Sequence, residues 1–592
     1  MPQHPNKISQ FWQELKRRSV LRSLAIYAGS AFVILEAATI IFPRWGFPDW
    51  TIDLVLYLLI LGVFITFIIS WIFDITPEGI QKTKSADEIT ETEKPTDSKV
   101  WKASTYVSFL VIAGLVVFNI LTRGDVLKPG MIQSLAILPF DNYTGDEKLD
   151  YVAAGMHTAL IGDMGKLGAL RVIGKTSSST YKNTDKSALD IGKELDVQAL
   201  VEPAVMYYGD SIILQIKVIT LYPEEKQLFV EDYMVDNSQV LHLFSKISKR
   251  IADEIMIELS PEEERLFAKS KTVDREAYDE YLKARRGDFS RESLYKSLEY
   301  LNNAIEKDPD WAPLYSSLAS VWMGIQQAGY EPTSVTSPEI YTNLNKALEL
   351  DPNLSEAHGL IAFIAYLMEW DWEKSEMEYL KALAINPNDA MSRAVYGQLL
   401  CTLQRTDEGI AQGRLALELD PLSPTIKVWY GAILLCAGDY KNALALGEEI
   451  TASDPGHLAG NSLIGAAAFQ CKEYDKMIKT KRYFLPMYDV KEEEIKEIER
   501  IFNEQGVVMA YEKIMKHLEE YSENNHIGPL YMAMTYMYAN QPDKAMDWLE
   551  KGFEQHDPKM IYIASIFDFD PLFNNPRFIA ICKKMNLPLP NR

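Results

Sequence analysis

Five prolines set the period of the C-terminal half of this 592-residue chain. Each follows Asp or Asn at the end of an apolar-patterned run: Pro309 in "EKDPD", Pro352 in "ELDPN", Pro387 in "AINPN", Pro421 in "ELDPL" and Pro455 in "ASDPG". The intervals are 43, 35, 34 and 34 residues. Proline lacks the amide hydrogen that a helix interior needs, and it pushes the residue before it towards extended backbone. Each one therefore closes a helix. Five positions ahead of the first four stand Ala304, Ala347, Ala382 and Ala416, small side chains that let helices approach; Ile450 takes that place before Pro455. Gly397 and Gly431 lie 24 positions before Pro421 and Pro455, equivalent to each other.

A 34-residue period with small residues at fixed offsets is the tetratricopeptide pattern, one helix pair per repeat. A single pair cannot bury its apolar face, so at least three stack into a shared core. The pattern predicts an all-α solenoid over 274–485: five regular pairs, then a weaker sixth beginning at "LAGNSLIGAAAFQCKEYDKMI". The 43-residue interval predicts an inserted loop at "AGYEPTSVTSPE", between the helices of one pair. Residues 486–592 read as irregular helices (Pro486–Asn525), a last pair at "YMAMTYMYANQPDKAMDWLEKGFEQHDP" and a C-terminal cap at "FDPLFNNPRFIAICKKMNLP". Cys401, Cys436 and Cys471 recur at 35-residue intervals and so mark equivalent points of successive repeats, not a metal site. Stacked helices stand about 9–10 Å apart, beyond disulfide reach.

The first helix of each pair lines the concave face of such a stack. Candidate groove residues are Phe363, Tyr366, Gln398, Cys401, Ala432, Leu435, Ala466 and Phe469. This mostly apolar set suits a protein or peptide partner. Aromatics at helical spacing also serve as core. The two readings part on whether Tyr366→Ala loses partner binding alone or stability as well.

The first 122 residues carry three apolar runs: Ser23–Phe42, Ile52–Phe73 and Tyr106–Leu121. A bilayer core needs roughly 17–25 helical residues, so the runs predict three transmembrane helices within 23–122, in contact with the lipid bilayer. Lys7, Lys16, Arg17, Arg18 and Arg22 precede the first run, and Lys82, Lys84, Lys94, Lys99 and Lys102 fall in the loop 74–104 or just within reach of it. The intervening "PRWGFPDW" has Arg44 alone. Basic residues stay inside, so the tail 1–22 and the loop 74–104 face the cytoplasm and everything after Arg123 lies on the other side. The loop's Lys, Glu, Asp, Ser and Thr predict disorder. Glu36 stands inside the first run, where an ionisable side chain is costly; it reads as an intramembrane polar contact within the helix bundle.

Residues 131–260 have the pattern of a small mixed α/β domain. "SLAILPF" (Ser134–Phe140) and "LRVIG" (Leu170–Gly174) read as buried strands, Tyr151–Leu167 and Ser187–Leu195 as helices. Gln198–Tyr208, Ser211–Leu221 and Gln227–Val235 read as three further strands, and Gln239–Leu259 as a closing helix. "KTSSSTYK" reads as a polar loop. Asp141, Asp146, Glu147 and Asp150 cluster at the first turn with no nucleophile beside them, and read as turn and cap residues. The sequence holds no GxxxxGK[ST], no GxGxxG opening a helix after a strand, and no HExxH.

"SLAILPFDNYTGDEKLDYVAAGM", "LRVIGKTSSSTYK" and "IGKELDVQALVEPAV" resemble the TolB amino-terminal (FlgO-like) domain. "FWQELKRRSVLRSLAIYAGSAFVILEAA" and "FDITPEGIQ" resemble the membrane lead-in of bacterial proteins in which that domain precedes tetratricopeptide repeats. The resemblance covers nearly the whole chain. It implies a bacterial membrane protein, and with the orientation that the basic residues set, its α/β and repeat domains are expected in the periplasm. Some relatives place a nucleotide-cyclase, winged-helix or kinase domain ahead of this region; with about 22 residues before the first run, none is expected here.

A net charge of −23 argues against nucleic acid, which needs a basic face. The expectation is a multidomain, non-enzymatic chain without cofactor or metal. It would be a membrane-anchored scaffold whose repeat groove binds a protein partner outside the cytoplasmic membrane. The alternative is a ligand-sensing subunit of a signalling system, reading a small ligand through the α/β domain, with any output enzyme on another chain.

Overall fold

The structure, a computed structural model, describes residues 15, 20–44, 50–76, 79–82, 132–143, 150–208, 211–221, 225–236, 240–268 and 273–589. The chain forms two compact units, Met1–Val126 and Leu127–Arg592.

In the first unit the helices Val20–Arg44 and Trp50–Ile72 lie against each other. Tyr27 Oη donates to the Leu59 carbonyl at 2.9 Å. A Cβ on Gly62 would fall 1.9 Å from that hydroxyl, so the pair closes where residue 62 has no side chain. Leu54–Ile72 is 19 residues long with mean hydropathy 2.6 and exposes large apolar side chains such as Leu58 and Phe64. Among the described residues it is the one helix long and apolar enough to cross a membrane. The expected first span lies on Val20–Arg44, whose apolar stretch is the shorter Ser23–Leu35. Glu36 follows on the same helix; its side chain lies outside the described residues, as does the expected third span, Tyr106–Leu121. The loop 74–104, expected without structure, opens instead as a hairpin: β1 (Phe73–Thr76) pairs antiparallel with β2 (Gly79–Lys82).

The second unit begins with a mixed sheet of β3 (Ser134–Ile137), β4 (Asp141–Asn142), β5 (Arg171–Val172), β6 (Ala199–Tyr208), β7 (Ser211–Thr220) and β8 (Lys226–Asp236). Its order is β5-β3-β6-β7-β8, with β4 also pairing β6. β3 runs parallel to both neighbours, Leu135 lying opposite Val172 and Ala199, while β6, β7 and β8 form an antiparallel meander. Side-chain alternation sorts the two faces. Leu135, Ile137, Leu214 and Ile216 pack with Met156 and Leu160 of helix Asp150–Met164 and with Phe244 and Ile247 of helix Val240–Glu254. Ala136 and Leu200, on the other face, meet Ile191 and Leu195 of helix Ala188–Leu195. Within "KTSSSTYK" the expected loop is a short helix, Lys175–Ser179, because Ser177 and Ser178 are buried and hydrogen-bonded.

Among the described residues eight helix pairs follow, from Arg275–Ala284 with Arg291–Lys307 to Pro529–Tyr538 with Pro542–Glu554. The prolines end them as the sequence predicts. Asp308, Asp351, Asn386, Asp420 and Asp454 leave their helices at φ between −129° and −139°. Each sends its amide hydrogen back to the residue four places earlier, Ala304, Ala347, Ala382, Ala416 or Ile450, at 2.9–3.2 Å. The four alanines are fully buried. Gly397 and Gly409 meet where the helices of one pair cross: a Cβ on either would stand 2.8 or 2.6 Å from the other's carbonyl oxygen.

Two expectations change. The 43-residue interval is not looped out. Its extra residues lengthen the second helix pair to Ala312–Gln327 and Thr333–Leu350, with Pro338 near the start of the latter. Lengthening both helices keeps their buried faces matched, which a one-sided loop would not. Residues 486–525 hold a further pair, Glu492–Gln505 and Val507–Ser522, joined through Gly506 at φ 90°. Its second helix ends at Ser522 ahead of "ENNHIGP", with no Asp-Pro or Asn-Pro mark, so the period conceals the pair.

Candidate functional site

Two side-chain systems stand out, and both involve the solenoid gripping another part of its own chain. The first is the joint between the sheet and the repeats. β5 is an edge strand, with unpaired backbone groups facing outward. The Val172 amide donates to Asn388 Oδ1 at 2.9 Å, and Asn388 Nδ2 donates to the Gly165 and Leu167 carbonyls at 3.0 and 3.1 Å. One repeat-ending turn thus closes the sheet edge. At the next, Asp420 Oδ1 accepts from the Ser177 amide at 2.7 Å and from the Ser177 hydroxyl. The Leu422 amide donates to Ser177 Oγ at 2.8 Å and the Gly174 amide to the Leu419 carbonyl at 2.7 Å. The segment "KTSSSTYK", expected as a polar loop, is therefore a docking element.

Behind it, His157 Nε2 lies 2.8 Å from the Ile137 carbonyl and 3.3 Å from Ser178 Oγ. Burial pushes its pKa down to about 4, so it is neutral and its Nε2–H donates to that carbonyl. In the acidic cluster, Asp150 accepts from Asn142 Nδ2 at 2.8 Å and pairs with Lys182 at 2.9 Å; these contacts hold its carboxyl below the ordinary range. Asp146 and Glu147 lie outside the described residues.

The second system lies at the turns within the helix pairs and the ends of their first helices. A π-turn at Ala365–Glu369 ends in Trp370 at φ 56°. It turns Trp370 and Trp372 towards the C-terminal segment, where Trp370 stacks on His556 at 3.7 Å and Trp372 Nε1 donates to the Met585 carbonyl at 2.8 Å. Between those two contacts, residues Pro558–Leu572 cross the repeats in two short 3-10 turns. Gln404 Nε2 donates to the Ala564 carbonyl at 3.2 Å, and Phe567 sets its edge against Tyr440 at 5.4 Å. Gln470 and Tyr538 donate to the two oxygens of Asp568 at 2.7 and 3.0 Å. Ile561, Ile563, Ala564 and Phe569 are fully buried in the same core as the repeat helices.

The predicted groove residues lie beneath or beside this segment. Tyr366 is fully buried, with its hydroxyl 2.8 Å from Thr402 Oγ1 and its ring edge-on to Trp372. Gln398 is fully buried and donates to Cys436 Sγ at 3.3 Å, while its own Oε1 has no partner. Cys401 is buried in the same layer; burial pushes its thiol well up. Phe363, Ala432, Leu435, Ala466 and Phe469 are half-buried, and Phe469 packs on Tyr538 at 4.3 Å. Burial of Tyr366 and Gln398 takes them out of reach of a partner in this conformation. Their helical spacing is the same for a surface facing solvent and for one facing the chain's own end, so the sequence could not separate the two.

No family model matches the chain. Among curated proteins it is similar to "Putative adenylate cyclase 3" of Rhizobium meliloti, 26% identical over 252 residues. The match covers 42% of this chain and 42% of that protein, so the chain spans about two fifths of its relative's length. Among solved structures it is similar to YrrB, a TPR protein with an unusual peptide-binding site, at 20% identity and TM-score 0.24, over 31% of this chain and 89% of that one. It is also similar to PilW, a type IV pilus biogenesis factor, at 13% identity and TM-score 0.31, over 37% and 97%.

Proposed function

We propose that the chain is a membrane-anchored, non-enzymatic scaffold whose repeat domain binds a protein partner outside the cytoplasmic membrane. One observation carries this reading: the ends of the repeats' first helices and the turns within the pairs already hold a polypeptide. They take the segment Pro558–Leu572 through a hydrogen bond to its backbone from Gln404, the ring of Tyr440 against Phe567, and two donors aimed at one acid, Asp568. A partner segment with an apolar stretch and a central acid meets the same groups when the chain's own end lifts. Phe363, Leu435 and Phe469 then become its contacts, with Tyr366 and Gln398 as their support. Crosslinking in the native membrane followed by mass spectrometry tests this. A recurrent protein joined to those helix ends and turns supports it; crosslinks confined to the chain itself overturn it.

The anchor is the apolar helix Leu54–Ile72 with its flanking runs, and the basic residues on either side support a cytoplasmic N-terminus. A phosphatase fused after Arg123 is then active, and an inactive fusion would put the repeats in the cytoplasm. The absence of an enzymatic role has its own check. The full chain given ATP and a divalent metal forms no cyclic AMP on this reading, and its formation would exclude a pure scaffold.

A further inference from the structure

A cavity of about 530 Å³ lies between helix Asp150–Met164 of the α/β domain and the turns that end the first repeats. That volume is in the range of small-ligand sites, which favour domain boundaries. Four cations line it: Lys166, which pairs with Asp163; Arg286, which rests over the Tyr151 ring; Lys175 at the start of the short helix after β5; and Arg285 at the end of the first repeat's first helix. Desolvation and the nearby Arg285 hold the Lys175 ammonium below its ordinary range. Among the acids of the lining, Asp163 pairs with Lys166 and accepts from Ser245 Oγ at 3.0 Å, Asp351 accepts from the Asn353 amide at 3.1 Å, and Glu356 is the one set against Arg285, at 3.7 Å. Among the described residues no carboxylate pairs with Lys175. The adjoining wall is aromatic: Tyr281 and Trp311 lie 4.8 Å apart, and Arg285 rests over the Tyr281 ring and donates to its hydroxyl at 2.7 Å.

Two cations lining one partly open cavity, beside a tilted pair of aromatic rings, are stabilised when an anion with a flat apolar body fills the gap. We propose that this cavity binds a small aromatic anion, its charged group between Lys175 and Arg285 and its ring against Tyr281 and Trp311. Because the walls come from the α/β domain and the solenoid, the ligand ties the two together. This site is independent of the protein-binding reading: a chain that captures no partner can still bind the anion.

Calorimetric titration of the detergent-solubilised full chain tests it, with phenyl phosphate and benzoate as probes and benzamide as the neutral control. Saturable binding of either anion, with benzamide silent, is expected. Lys175→Met weakens it about tenfold or more, and Lys175→Arg restores most of the loss. Melting temperatures of the variants, measured without probe, confirm that they fold. No saturable heat from either anion overturns the proposal. So does benzamide binding as tightly as benzoate, or unchanged affinity in a folded Lys175→Met chain.

Discussion

Ser177 and Asp420, 243 positions apart, are joined through one atom: a single carboxylate oxygen takes both the backbone amide and the hydroxyl of the serine. Ser177 is fully buried and Asp420 nearly so. The solenoid therefore holds the α/β domain with a residue whose local role, ending a helix ahead of proline, it shares with four others.

Asp420→Ala leaves a buried amide and hydroxyl without their acceptor, a loss of about 2–4 kcal/mol. The expected result is faster hydrogen exchange at Gly174–Ser178, with the repeat helices still protected. Asp420→Asn, which keeps an acceptor oxygen, loses less. Unchanged exchange at these amides would show that the joint contributes nothing.

Tyr366→Ala removes a fully buried ring and lowers stability by about 3–5 kcal/mol. Tyr366→Phe loses about 1 kcal/mol or less, because Thr402 Oγ1 also donates to the Gln398 carbonyl at 3.0 Å. Thermal melts of both variants decide the matter. An unshifted melt for the alanine variant would restore Tyr366 as a surface contact.

Asp568 makes the C-terminal segment sensitive to pH. Burial pushes its pKa up to about 6, above the roughly 3.9 of an unfolded aspartate. The folded chain therefore keeps a proton that the unfolded chain releases. The stability this gives is fully present below about pH 4 and is lost as pH rises through about 6. His157 works in the opposite sense. Its depressed pKa, about 4, gives stability above about pH 6.5 that is lost as pH falls. Comparing wild type with Asp568→Asn isolates the first effect. The variant gains on wild type by on the order of 2–3 kcal/mol between pH 4 and 7 in denaturant melts. A pH-independent difference would mean that Asp568 is charged throughout.

Phe567→Ala strips the contact with Tyr440 and loosens the segment across the repeats. A local cost of about 1–2 kcal/mol raises the uncovered population roughly tenfold. Protease cleavage near Pro558–Leu572 and the yield of crosslinked partner are expected to rise together. More cleavage with unchanged yield would place the partner elsewhere on the repeats.

Local chemistry made most of the elements legible. The helix ends at Asp308, Asp351, Asn386, Asp420 and Asp454 follow from proline's missing amide hydrogen, and the close crossing at Gly397 from its missing side chain. Strand alternation announced the sheet. Each of these effects acts within a turn or two of the chain, so the residues alone determine it. What the sequence could not disclose is choice among equivalents. Of five repeat-ending turns, those at Asn388 and Asp420 meet β5 and the short helix after it, through contacts 216 and 243 positions apart in the chain. The face lined by Tyr366, Gln398 and Phe469 had the composition of a groove, and whether solvent, a partner or the chain's own end covers it depends on where residues 558–572 return. Those outcomes are set by long-range closure of the superhelix, to which no local pattern is tied.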